Sequence, residues 1–303
     1  MILIDDVEIL TVLDGLNWSG ARDMCTRTLN FSFLYNPQKK DIPIYKVKVG
    51  SRVEWKENNK TLFLGYVETM PYNTDDDSIA LTCQDLSTRL IRSTFIGRMQ
   101  GTLTELANNI CGTFGIKNGI ESDSTHKHNI VSDGDLTYYD VLKTACDSVF
   151  GTDYTLYMNG DTLELAKKDV IDTFTIGYNI RSSSFQQSMS DMVNKVLIID
   201  NNGAVLDAIE NTEDINNYGL FQSTYNYNTD SKNNLADAQK LLKGVTNEGS
   251  ILCNNNNECI SGRRIKIFEP VNNFNGIFEI QTDNHTIGVD SSMSLEVKYV
   301  GVG

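Results

Sequence analysis

His126 and His128 are the residues best spaced for metal chemistry, because they stand two positions apart. On a strand, both imidazoles would face one side and could share a metal ion. The segment around them is polar, and no cysteine or carboxylate at a ligand spacing completes a site. The sequence therefore predicts a solvated loop, with a shared metal ion as the alternative interpretation.

The cysteines are a second source of possible ligands, but none of them forms a CxxC pair. Cys253 and Cys259 bracket residues 254–257 and supply two of the about four ligands that a zinc site needs. We predict two strand thiols on either side of a loop. Cys111 and Cys146 fall on apolar helical faces, where we expect them to pack as small hydrophobic residues. The scatter of the cysteines predicts reduced thiols rather than a disulfide framework.

No motif of an active site stands out in the chain. The run Asp75, Asp76 and Asp77 lacks the alternating oxygens and the glycine of a calcium loop, so we predict a charged hairpin tip. His285 has no nucleophile motif beside it and is predicted to be packed, and neither a Walker loop nor a GxGxxG motif occurs. We therefore expect no catalytic residue, no cofactor, no bound metal and no enzymatic activity. A peptidoglycan hydrolase stays open as a hypothesis, because catalytic groups are assembled in space.

Residues 1–92 have the pattern of a β domain. Apolar side chains recur with the period of two that is typical of a strand, at Leu29, Phe31, Phe33 and Tyr35. Further strand candidates, divided by polar turns, are residues 47–55, 62–70 and 79–83. Several short strands with regular turns indicate a barrel or a sandwich.

Residues 93–170 differ from this pattern and predict a small α+β insertion. Thr102 and Glu105 form a capping box, followed by apolar residues at helical spacing up to Gly115. The same arrangement recurs from Thr137, and a second helix is predicted up to Gly151. The dipeptide at 159–160 is Asn-Gly, which is a strong hairpin signal because it tolerates the positive φ of a type I′ turn. The insertion is thus predicted to hold two helices and a hairpin.

Residues 171–303 are again mainly β, with one helix predicted from the spacing of apolar residues over 235–245. Strand candidates are residues 192–200, 204–209, 251–253, 264–268, 276–281 and 294–300. The predicted fold class is α+β and mainly β: a first β domain at 1–92, the insertion at 93–170 and a second β domain at 171–303.

Composition limits the function classes. The net charge of −14 disfavours specific binding of nucleic acid, which needs clustered Lys and Arg. No apolar stretch is long enough to cross a bilayer. The N-terminus turns acidic at Asp5 without a basic region, so we expect no secretion signal.

Five short segments, taken in chain order, carry a resemblance to a known family. In chain order they are 49–53 with 62–66, 81–86, 103–116, 190–196, and 278–297. Gly50 and Val53 precede the run Leu-Phe-Leu-Gly-Tyr at 62–66, and residues 81–86 end in Asp-Leu. Together these segments resemble the baseplate hub family of contractile phage tails and phage-tail-like bacteriocins.

The resemblance implies two β-barrel-like tube domains in one chain and a homotrimer that forms a pseudo-sixfold ring. Such a ring would connect a tail tube protein to a central spike protein, with baseplate wedge proteins and the tape-measure protein as further partners. It would assemble in the bacterial cytoplasm and become part of the phage or phage-tail-like particle. The alternative function is a carbohydrate-binding or receptor-binding tail module, for which the aromatic residues at 218–227 are the best candidate patch.

Overall fold

The computed structural model describes residues 1–10, 12–22, 24–36, 38–41, 44–71, 77–229, 233–271 and 274–301. The protein is mainly β, with 54% strand and 16% helix, which confirms the predicted class at that level. Its residues group into two compact units. Unit 1 contains Met1–Ser183 and Ser250–Gly303, and unit 2 contains Ser184–Gly249.

The strands of the first half are β1 (Ile2–Ile4), β2 (Val7–Glu8), β3 (Val12–Ala21), β4 (Arg27–Leu34), β5 (Arg52–Glu57), β6 (Lys60–Thr69), β7 (Ser78–Asp85), β8 (Thr94–Gly101), β9 (Lys117–Asn118), β10 (His128–Thr137), β11 (Tyr154–Asn159) and β12 (Thr162–Lys167). Those of the second half are β13 (Val170–Thr175), β14 (Ile180–Ser188), β15 (Lys195–Ile199), β16 (Val205–Glu210), β17 (Gln222–Asn226), β18 (Thr246–Asn254), β19 (Arg264–Glu269), β20 (Phe274–Ile287) and β21 (Ser292–Gly301). The helices in the described ranges are α1 (Thr88–Arg92), α2 (Leu103–Phe114), α3 (Tyr138–Phe150), α4 (Thr212–Tyr218) and α5 (Asn234–Gln239).

One large sheet organises unit 1. Its strands follow the order β21-β20-β3-β4-β7-β6-β5-β1-β2, and β19 also pairs with β20 and in turn with β13. Buried and half-buried residues alternate along the whole of β4, as its period of two predicts. Leu29, Phe31 and Phe33 enter a core with Trp18 and Trp55. An early strand and a late strand of unit 1 are thus neighbours in one sheet, because β3 pairs with β20.

The hairpin of β5 and β6 differs in part from its prediction. Asn58 and Asn59 both have positive φ, which suits the polar turn expected between the strands. The first strand of the pair begins at Arg52, however, so the predicted strand at 47–55 is wrong over its first residues. Gly50 has a φ of 86° and its backbone N–H donates to the Val67 carbonyl at 2.8 Å, which makes this stretch a turn.

The insertion has the predicted helices and hairpin. Both capping boxes are present, with Thr102 and Glu105 on α2 and Thr137 and Asp140 on α3. The strands β11 and β12 pair through a turn in which Gly160 has a φ of 62°. The apolar faces of both helices share one core with this hairpin, and Cys111 and Cys146 are buried within that core as predicted.

Unit 2 is a three-stranded sheet with α4 and α5. The predicted hairpin at 192–209 is confirmed as β15 and β16, and β17 lies parallel to β15 on its other side. Buried Asn194 bonds to two sites of one loop: its Nδ2 donates to the Gly219 carbonyl at 2.7 Å and its Oδ1 accepts from the Phe221 N–H at 2.8 Å. The helix predicted over 235–245 is shorter, because α5 ends at Gln239 and the backbone of Lys243 bonds to Val193.

The strand pairings among the described residues do not close a barrel. The large sheet instead combines strands from both predicted β domains, since β3 comes from 1–92 and β20 from 171–303. Barrel-like tube domains and the three-part domain boundaries therefore stay predictions. None of the helices in the described ranges is long and apolar enough to cross a membrane.

Leu106→Asp tests the packing of the insertion. Leu106 is 1% exposed in the shared core of α2, α3 and the hairpin. Burying a leucine contributes ~1.5–3 kcal/mol, and an unpaired buried carboxylate adds a further cost. We expect the free energy of unfolding in urea to fall by more than ~3 kcal/mol. Asn109→Asp, on the exposed face of the same helix, is the control, and equal losses in the two variants would contradict this packing.

Candidate functional site

A group of charged and polar side chains in unit 1 surrounds a buried ion pair between Arg27 on β4 and Asp283 on β20. The guanidinium binds the carboxylate through two contacts, Nη1 to Oδ1 at 3.1 Å and Nη2 to Oδ2. Asp283 also accepts a hydrogen bond from the Ser261 backbone N–H at 2.6 Å. The Arg27 guanidinium lies over the ring of Trp18, 3.7 Å from its centroid. Its positive charge is therefore stabilised by the Asp283 carboxylate and by the aromatic ring.

Strand register explains why these side chains meet. Gly20 on β3 pairs with Arg27 on one side and with Asp283 on the other. Residues that pair directly across strands project on the same face of a sheet. Since Gly20 has no side chain, Arg27 can cross the middle strand to reach Asp283. A Cβ at Gly20 would lie 2.6 Å from Arg27 Nη1.

The next row on the same face holds His285. It pairs with Trp18, two residues before Gly20, and is fully buried. Its Nε2 lies 3.2 Å from Asp283 Oδ2, and its Nδ1 lies 2.7 Å from Asn255 Oδ1. Hydrolases also use an Asp–His pair, but there a nucleophile faces the second ring nitrogen. Here that nitrogen faces an amide, and the ring is shielded from solvent, so the arrangement is suited to holding strands together.

The carboxyl groups at the two ends of this cluster have opposite pKa shifts. Burial by itself would raise the pKa of Asp283, but the adjacent Arg27 guanidinium, which also donates hydrogen bonds to it, and the nearby His285 ring hold this pKa well below its usual range. Asp85, at the corner between β7 and α1, accepts hydrogen bonds from the Arg27 N–H at 2.8 Å and from the Ser87 hydroxyl at 2.6 Å. Burial nevertheless raises the pKa of Asp85 to about 7.

The predicted metal-ligand candidates lie elsewhere. His126 is exposed as expected, but the prediction of a loop is wrong for His128, which begins β10 and is buried. Extended pairing of His128 with Gly101 draws it into the strand, and burial lowers its pKa. The two rings are 4.7 Å apart. Within the part of the chain that the structure describes, no group of three or more His, Cys, Asp or Glu side chains could hold a metal ion.

The other candidate residues are held by local packing. Cys253 lies on β18, whereas Cys259 lies in the loop before β19 rather than on a strand. Both are buried, and burial raises the pKa of Cys253 to about 12. Asp77 binds Lys39 and accepts a hydrogen bond from Asn36 Nδ2 at 2.8 Å, while Asp75 and Asp76 lie outside the described residues.

The aromatic patch predicted at 218–227 is divided. Tyr218 and Tyr227 are exposed, whereas Tyr225 packs against the core of unit 2 and its hydroxyl donates to Asn234 at 3.2 Å.

The ion pair could not be predicted from local sequence patterns, because Arg27 and Asp283 are 256 residues apart. The resemblance had marked Asp85 and His285 as parts of strand motifs. The glycine at position 20 carries no turn signal, since its role depends on what lies on the strands at either side.

Gly20→Ala is expected to destabilise the protein. The new methyl group would push Arg27 from Asp283, and overpacking of this kind costs ~1–3 kcal/mol, with up to ~3–5 kcal/mol if the pair breaks. Gly112→Ala is the matched control, because its Cβ would meet nothing within 4 Å inside α2 and should stabilise by up to ~1 kcal/mol. Urea unfolding of both variants measures the difference. A neutral Gly20→Ala would contradict the steric argument.

Asp85 predicts a pH dependence of stability. Its pKa is raised from 3.8 to about 7, so between these values the folded protein binds more protons at this site than the unfolded chain. The free energy of unfolding must therefore fall, through this residue, as the pH rises across that window. Asp85→Asn should remove this fall, whereas Asp290→Asn, whose side chain is 85% exposed, should keep it. Matching pH profiles for Asp85→Asn and the unchanged protein would contradict the shift.

Comparison with known proteins places the chain in a family. A model of the YQBQ-like family matches residues 16–298. No curated protein sequence matches the chain at a significant level.

The fold is shared with solved tail proteins. The 43 kDa tail protein of prophage MuSo2 from Shewanella oneidensis superposes with a TM-score of 0.75 at 12% identity, over 98% of this chain and 96% of that one. The tail protein of Neisseria meningitidis MC58 gives 0.71 at 12% identity, over 99% and 96%. Prophage tail protein gp18 of Listeria monocytogenes EGD-e gives 0.62 at 12% identity, over 96% and 89%. The resemblance drawn from the sequence is thereby confirmed at the level of fold, and the chain belongs to the YQBQ-like family.

Proposed function

We propose that this protein is a structural baseplate hub of a contractile phage-like tail. Three copies would form a pseudo-sixfold ring that connects the tail tube to the central spike. The observation that carries this proposal is the end-to-end match of its fold to prophage tail proteins, which spans 98% of this chain and 96% of the Shewanella oneidensis protein. A match over nearly the full length of both chains favours the same kind of role more than one shared domain would.

The chemistry of the buried cluster agrees with a structural role. Its ion pair and histidine lie between paired strands and are shielded from solvent, so they are unsuited to act on a substrate. We therefore propose that the protein is not an enzyme and needs neither a cofactor nor a metal ion.

A protomer contact is proposed at the β2 end of the large sheet. A groove there is lined by residues from two regions of the chain. Most are apolar, among them Leu10, Val12, Ile287 and Val289, and Glu8 and Asp290 also line it. Leu10 and Val289 are strongly exposed. Contiguous apolar surface of this kind is typical of an interaction site. A patch that meets a different surface on the next copy makes a heterologous contact, and such contacts close into rings when the rotation allows it.

The proposed partners follow from this position in the tail. They are two further copies of the chain, the tail tube protein, the spike protein, baseplate wedge proteins and the tape-measure protein. The net charge of −14 suits a channel wall that does not retain DNA, because carboxylates repel phosphates over about 8–10 Å at physiological salt. The protein would assemble in the bacterial cytoplasm before it joins the particle.

A second candidate is a carbohydrate-binding or receptor-binding tail module. The exposed side chains of Tyr218 and Tyr227 in unit 2 favour it, since aromatic faces suit sugar rings. Saturable glycan binding that is lost on Tyr218→Ala or Tyr227→Ala would support this function over the hub.

The hub proposal predicts a place and a copy number. We expect imaging of the assembled tail at residue resolution to find three copies on the central axis, between tube and spike. Six copies at the periphery would contradict the proposal.

The groove can be tested separately in the same system. Leu10→Glu combined with Val289→Glu should leave thermal unfolding nearly unchanged, because both side chains are exposed, yet should prevent incorporation into particles. Tyr178→Glu, at an exposed position away from the groove, is the control and should be incorporated. Normal incorporation of the double variant would exclude this contact surface.

A further inference from the structure

Three cationic side chains converge on one buried carboxylate at the β19–β20 pair. Glu279 on β20 pairs directly with Arg264 on β19, and Arg22 and Lys168 reach the same carboxylate from the segments after β3 and before β13. The nearest partner is Arg22, whose Nε lies 2.6 Å from Glu279 Oε1. A fourth cation, Lys298 on β21, pairs with Glu279 across the sheet.

The other two cations are engaged far more loosely. Lys168 Nζ lies 3.4 Å from Glu279 Oε1, at the long end for a hydrogen bond, and Arg264 Nε lies 3.9 Å from Oε2. Arg264 Nε is buried and has no hydrogen-bond partner, although Nη2 of the same side chain binds Asp153 at 2.9 Å. Arg22 is thus the main partner of Glu279, whereas Lys168 Nζ has one long hydrogen bond to this carboxylate and Arg264 Nε has no acceptor.

The charges of this group also favour the binding of an additional anion. Arg22, Lys168 and Arg264 carry three positive charges against the two negative charges of Glu279 and Asp153, and Asp153 is mostly exposed. The side chain of Lys168 is only 7% exposed. Burial lowers its pKa and Glu279 counteracts this, while Arg22 and Arg264 lower it further. A buried ammonium that shares one carboxylate with two guanidinium groups is costly, and an added anion would offset that cost.

We propose that Lys168 and Arg264 form a binding site for a small oxyanion, in a chain that is otherwise strongly acidic. Two oxygens of one ligand can accept from the ammonium and from the guanidinium at once, which is the arrangement that these groups favour. Arg22 and Arg264 are partly exposed, so the ligand would enter from their side. The shared chemistry is that of a free phosphate or of a carboxylate presented by a partner protein.

The test is calorimetric titration of the full chain at constant ionic strength, with sodium phosphate in one arm and sodium succinate in the other. We expect saturable binding of at least one of the two anions. Lys168→Met and Arg264→Gln should each weaken it by about tenfold or more, as expected for the loss of a hydrogen bond to a charged group. Lys167→Gln is the matched control, because Lys167 is adjacent in sequence but is 59% exposed and binds Asp169.

The outcomes are distinguishable. Binding of phosphate that both site variants lose supports a free oxyanion as ligand, and binding of succinate alone supports a partner carboxylate. Equal affinity in Lys168→Met, Arg264→Gln and Lys167→Gln overturns the proposal, as does the lack of saturable binding to either anion. If Lys168→Met does not fold, Arg264→Gln still decides the matter, because its side chain is partly exposed and its loss leaves Glu279 paired with Arg22.

Discussion

A charged pair that must stay buried and paired constrains unit 1 more than any other contact. Arg27 and Asp283 are separated by 256 residues and meet over a glycine on the strand between them. A buried ion pair adds little net stability, but breaking it is costly because it leaves an unpaired charge in a medium of low polarity. The pair therefore specifies an arrangement: a register shift between β3 and either neighbour would separate the charges or place them on opposite faces.

This constraint helps to explain how strands separated by the insertion and by unit 2 join in one sheet. The insertion packs α2, α3 and the β11–β12 hairpin into one core, to which Cys25, Leu86 and Leu90 also contribute, and two capping boxes begin its helices. Unit 2 has its own small core around Val196 and Ile198. Many contacts within these segments join residues that are near in sequence, whereas the pairing of β3 with β20 has to close a very long loop. Trp18, Arg27, Asp283 and His285 concentrate strong interactions at that junction.

The interior and the surface of unit 1 also differ in chemistry. The polar side chains of the central cluster are buried and bind one another across paired strands. The surfaces open to partners have a different chemistry. The groove near β2 is lined mainly by apolar side chains. The group around Glu279 has an excess of cations, of which Arg22 and Arg264 are partly exposed, in a chain of net charge −14. A rigid sheet that presents distinct apolar and charged contacts suits a protein that joins unlike neighbours in an assembly. The proposed hub role requires this property, and the oxyanion site would add a further contact to it.

Local patterns in the sequence were sufficient for the elements whose stability is local. The capping boxes, the Asn-Gly hairpin and the alternation in β4 predicted α2, α3, β11, β12 and β4, because each depends on hydrogen bonds and periodicity within a few residues. The sequence analysis did not predict the strands β8 and β10, because exposed residues interrupt any alternation in them. It also did not predict the helices α1 and α4, which are too short to show a helical period. Only the tertiary structure decided that strands from both ends of the chain share a sheet, that Gly20 must lack a side chain, and that three cations meet at Glu279. These features depend on register between distant strands, and register is set by the packing of the whole core rather than by any single segment.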